Sequence, residues 1–168
     1  MEEKRVFDLK KILDDSRRLE RLNVTVWNSG KNSSVSDSEL KSAVDEVARI
    51  AVESESQRLR MTANRYLEGF QSHSNPSVYL SAGESFKPFK KQLEGQIRVL
   101  KSLHNEVMGA SKPSSELIEK MRESIEKSDF LQLKLLGVEY LRTICDTHSD
   151  EETKKKAERV FERVKSIV

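Results

Sequence analysis

Phe130 to Cys145 reads FLQLKLLGVEYLRTIC. Apolar residues fall on nearly every side of a helix drawn through it, while the segments on both flanks are strongly amphipathic. A helix that is hydrophobic all round has to be enclosed by other helices. The stretch therefore predicts an all-α fold: a bundle of five or six helices around a buried central member at about 129–146. Ser128 or Asp129 supplies its N-cap. Gly137, inside this helix, costs about 1 kcal/mol relative to Ala. Close approach of a neighbouring backbone is the expected compensation.

Working outward, Leu117, Ile118, Met121 and Ile125 predict a preceding helix over about 114–127. Ser149 with Glu152 forms a capping box for a last helix carrying Ala157, Val160, Phe161, Val164 and Val168. Upstream, Phe86, Phe89, Leu93, Ile97, Leu100, Leu103 and Val107 mark a helix over about 85–108. Pro88 falls in its first turn, and Gly109 closes it. The segment 73–83, HSNPSVYLSAG, carries turn chemistry together with Val78, Tyr79 and Leu80, so it reads as a packed loop. Ser36 and Glu39 form a second capping box, opening a helix that runs to about residue 71. Its middle, ESESQR at 53–58, has no apolar contact residue, so the helix either breaks there or is elongated. No Gly or Pro interrupts it, which favours one long helix over 37–71. A first helix spans about 3–27, with Val6, Leu9, Ile12, Leu13, Leu19, Leu22 and Val26 on one stripe. The whole chain, 1–168, reads as a single helical domain. It can be divided into an N-terminal hairpin over 1–72 and a C-terminal bundle over 84–168. No repeat of solenoid period is present.

Composition limits the function classes. Lys and Arg number 30 against 28 Asp and Glu. Residues 1–84 carry 13 basic against 14 acidic side chains, and residues 85–168 carry 17 against 14. Neither half has the basic excess of a dedicated nucleic-acid binder. No run of about 18 apolar residues spans a membrane, and MEEKRVFDLKK has no apolar signal core. The single cysteine, Cys145, admits no internal disulfide. The cytoplasm or nucleus is the expected location. Asn23-Val-Thr25 and Asn32-Ser-Ser34 match the glycosylation pattern, which matters only in a secreted protein.

Motifs of catalysis are absent. The six glycines are scattered, with no phosphate loop, dinucleotide fingerprint or nucleophile elbow. No Glu-x-x-His supports a di-metal carboxylate site. His73 and His148 fall in expected loops and His104 on a polar helix face. Cys145 and His148 are three apart, but no further ligand completes a zinc site, and Cys145 reads as a core residue. Glu2/Glu3, Asp14/Asp15 and Glu151/Glu152 lie on charged faces or at helix starts, where acids suit the macrodipole. The expectation is no enzyme, no metal and no cofactor. An enzyme would instead show a polar cavity with perturbed titrating groups around Cys145 or His104.

The residues left for recognition are Trp27, Arg17, Arg18, Arg21, Lys154 and Lys155. The lone tryptophan either packs in the core or anchors a partner, since aromatics are enriched at binding hot spots. Its basic neighbours are interleaved with acids.

From Phe86 onward the pattern resembles a BAG domain, the three-helix module that binds the ATPase domain of Hsp70 chaperones. The resemblance lies in an amphipathic helix, then FLQLKLLGVEYLRTICD, a short polar loop and the basic start of KKKAERVFERVKSIV. Asp146 stands near where the family has an acid closing its second helix. The family's last helix contacts the chaperone through an Arg and, eight residues on, a Gln; this sequence has Ala157 and Lys165 there. The resemblance covers half the chain and implies a co-chaperone built on the C-terminal helices. Exclusion of the other classes leaves an adaptor or regulatory module that binds a protein partner through a helical face. A homodimer formed as a coiled coil through the long second helix and a nucleic-acid-associated role are the alternatives.

Overall fold

The computed structural model describes residues 8–29, 34–110, 112–146 and 151–168. Over the described residues the chain is all-helical, with seven helices: α1 Leu9–Asn28, α2 Asp37–Glu53, α3 Gln57–Phe70, α4 Pro76–Gly109, α5 Ser115–Glu126, α6 Leu131–Asp146 and α7 Glu151–Lys165. Two compact units divide it, Met1–Phe89 and Lys90–Val168, and α4 contributes to both. Several readings lie outside the described residues: Val6 and the start of the first helix, Glu2/Glu3, Asn32, the Ser149 cap and His148.

Two readings are corrected, and the first of them takes the helix count above the expected five or six. The stretch 37–71 is two helices. Ser54 ends α2 in an extended conformation, and the Ser56 hydroxyl accepts from Leu59 N–H (3.4 Å) to cap α3. Ser54 Oγ accepts from Ser56 N–H, and Arg60 donates to the Ser54 carbonyl at 2.8 Å. Serine hydroxyls compete for backbone groups that a continuous helix would use. A Ser-x-Ser pair therefore breaks the helix without Gly or Pro.

The expected loop at 73–83 is instead mostly helix. The Asn75 side chain accepts from Ser77 N–H at 2.8 Å, and the Asn75 carbonyl from Tyr79 N–H at 3.1 Å. Pro76 then occupies the first helical position, where its fixed φ and missing donor fit. Val78 and Ala82, four apart, are fully buried. Pro88 consequently sits inside α4 and not in its first turn.

In the first unit, α1 packs on α2 and α3 around Leu19, Val26, Val44, Val47 and Phe70. The Ser36–Glu39 capping box forms as read: Glu39 N–H to Ser36 Oγ is 3.2 Å and Ser36 N–H to Glu39 Oε2 is 2.8 Å. These bonds from the Ser36 backbone and side chain hold the Glu39 carboxyl below its ordinary pKa. The expected α1 stripe holds only in part, because Leu9 and Leu13 are exposed. Arg18 and Glu46 form an ion pair at 2.9 Å between α1 and α2.

The second unit builds on α6. Ser128 is buried, donates to Gln96 Oε1 at 2.7 Å and accepts from Phe130 N–H at 3.2 Å, so it organises the start of α6. Gly137 faces α5, and a Cβ there would lie 2.7–2.8 Å from three carbons of Ile125. The close neighbour is thus a side chain, not a backbone. Leu133 and Tyr140 are buried on the same side of α6.

Candidate functional site

The helix that the sequence reads as enclosed is not enclosed. Leu131, Leu135 and Val138 of α6 are 37%, 63% and 45% exposed. Their spacing of four and three places them on one line along the helix, opposite buried Leu133 and Tyr140. Cys145, expected in the core, is exposed on the same helix. Chemical polarity alone made this helix look central. Its core-facing side is satisfied by α4, α5 and α7, and its outer side stays apolar. Basic residues Lys134 and Arg142 accompany the outer face. Arg163 of α7 grips the acid Glu139 through both carboxylate oxygens, at 2.7 and 2.9 Å.

A second feature of this unit is a cleft of about 410 Å³ between α4 and α7. Lys101, His104 and Asn105 line one side, and Lys155, Glu158, Arg159, Phe161, Glu162 and Lys165 the other. His104, expected on a polar face, is buried. Its Nδ1 lies 2.7 Å from the Tyr140 hydroxyl, and its ring stacks on Phe161 with centroids 4.2 Å apart and planes 9° from parallel. Burial holds the His104 imidazole below its ordinary pKa; Glu158 and Glu162 oppose that shift and Lys165 adds to it. Burial also pushes the Tyr140 phenol up. The sequence carried no sign of this cluster, because its three rings come from three different helices.

The residues singled out from sequence fall on the two units. Trp27, in the last turn of α1, is 47% exposed; its ring is 6.0 Å from Phe70 and 5.2 Å from His73. It is half packed and half available. Arg18 is engaged by Glu46, and Arg21 Nε donates to the Arg17 carbonyl. Lys155 lines the α4–α7 cleft, whereas Lys154, one residue earlier, does not. Leu9, Leu13 and Val24 add exposed apolar surface to α1, but Ser16, Arg17 and Glu20 interrupt it.

Among the described residues no three His, Cys, Asp or Glu side chains are placed to hold a metal ion. No described helix is long and apolar enough to cross a membrane. No family model, curated protein or solved structure matches the chain.

Proposed function

We propose that the protein is an interaction module, an adaptor or regulatory helical bundle, which receives an amphipathic helix of a partner protein on the outer face of α6. One observation carries this reading: Leu131, Leu135 and Val138 form an unbroken apolar line on the outside of a folded unit. Such a line at helical spacing suits a partner helix with its own apolar stripe. Arg142 beside it, with Glu139 already held by Arg163, favours acidic flanks on that partner. The apolar surface of α1 is a weaker candidate, because polar residues divide it.

The nucleic-acid alternative draws no support from the cations, several of which face acids: Arg18 and Arg49 with Glu46, Lys120 with Glu116, Arg163 with Glu139. The chaperone alternative would use Ala157 and Lys165, but Ala157 is turned into the core and offers no contact.

The test is selection of helical peptides from a display library against the whole chain. Selected peptides should carry apolar residues at three- and four-residue spacing and acidic flanks. Their affinity should fall at least tenfold, or about 1.4 kcal/mol, for Leu135→Asp, a substitution at an exposed position that leaves the fold intact. Failure to select such peptides, or peptides indifferent to Leu135→Asp, refutes the proposal.

A further inference from the structure

The His104–Tyr140 contact fixes more than a ring orientation. Tyr140 is 1% exposed, and its hydroxyl proton has no acceptor among the described residues other than His104 Nδ1. A buried hydroxyl left without an acceptor is costly. The arrangement that satisfies both groups has Tyr140 donating to Nδ1. His104 then carries its proton on Nε2, and its ring is among the groups that line the cleft. Stacking on Phe161 fixes the plane of the ring, and the Tyr140 contact fixes which edge faces that hydroxyl.

The cleft thus presents a fixed neutral N–H, the Asn105 amide and four cations, Lys101, Lys155, Arg159 and Lys165, against two carboxylates. One of those carboxylates, Glu162, is already engaged by Lys165. Preorganised N–H donors with surplus positive charge make an anion receptor, and a planar guanidinium adds bidentate recognition of phosphate oxygens. A volume near 410 Å³ is in the range of small-molecule sites and exceeds what a bare ion fills.

We infer that the α4–α7 cleft binds a phosphate group, with His104 Nε2–H and Arg159 as its principal donors and Lys155 as a charge partner. This site is separate from the outer face of α6 and does not depend on it. The phosphate can be free or the head of a small phosphate monoester.

Calorimetric titration of the whole chain with inorganic phosphate and with ribose 5-phosphate, at constant ionic strength, tests the inference. One-to-one saturable binding is expected, weakened roughly tenfold in Arg159→Gln and several-fold in Lys155→Gln. Both substitutions fall on exposed residues, so the fold is retained. The His104 ring resonances should shift with the same saturation curve. Tighter binding of the monoester identifies a phosphorylated small molecule, and equal binding identifies free phosphate. No saturation below about 10 mM, or affinity unchanged in both variants, overturns the inference.

Discussion

Replacing Gly137 by Ala should destabilise the C-terminal unit, although the substitution lies mid-helix, where Ala is ordinarily the better residue. The helix-propensity gain is about 1 kcal/mol. Against it stands the Cβ position, 2.7 Å from Ile125 Cγ1 and 2.8 Å from both Cδ1 and Cγ2. Carbon atoms pack at about 3.5–4.0 Å, so the new methyl falls roughly 0.7–1.3 Å short of contact. Ile125 is 2% exposed, and its β-branched side chain has essentially one rotamer in a helix. Relief therefore requires α5 and α6 to separate. Overpacking of this kind costs about 1–3 kcal/mol, leaving a net loss of up to about 2 kcal/mol. Urea unfolding of Gly137→Ala, Ile125→Ala and the double variant measures it. Ile125→Ala alone should cost about 2–5 kcal/mol. It should cost visibly less in the Gly137→Ala background, giving a coupling of at least about 1 kcal/mol. A stabilised Gly137→Ala, or effects that simply add, would refute the packing argument.

In the same unit, Tyr140→Phe removes the hydroxyl that meets His104 Nδ1 and should cost about 1–3 kcal/mol; a change within about 0.5 kcal/mol in urea midpoint analysis would count against the assigned bond. Because burial depresses the His104 pKa, the unfolded chain takes up a proton before the folded one as pH falls. Its contribution to stability is whole above about 6.5, the unfolded value, and is lost as pH falls from there to the lower folded value. The drop in stability between pH 7 and pH 5 should shrink in His104→Gln, and equal slopes in both proteins would contradict this. Cys145 is exposed, so a thiol reagent should label the native protein without prior unfolding; labelling only at the global unfolding rate would restore the buried cysteine.

Features set by neighbours in sequence were legible before the fold was known. The Ser36–Glu39 capping box needs only four consecutive residues, and it forms as read. The all-helical class followed from apolar spacing. Features set by competition or by distant partners were not legible. Ser54 and Ser56 break a helix through side-chain hydrogen bonds that no Gly or Pro announces. Asn75-Pro76 looks like a turn but starts a helix, because its value depends on Val78 and Ala82 finding a core. Leu131, Leu135 and Val138 have the composition of a buried face, and composition cannot say how many sides a helix has covered. His104 looked like a surface residue because Tyr140 and Phe161 reach it from other helices. Of the recognition residues read from sequence, Trp27 keeps an exposed edge and Lys155 joins the cleft, while Arg18 is held by Glu46.

The most direct test of the α6 face is methyl NMR of the whole chain during titration with a selected acidic helical peptide. The largest saturating shifts should fall on Leu131, Leu135 and Val138, with no change at Leu9 or Leu13 of α1. Shifts confined to α1, or none at α6 while the peptide binds, would contradict the proposed role of that face.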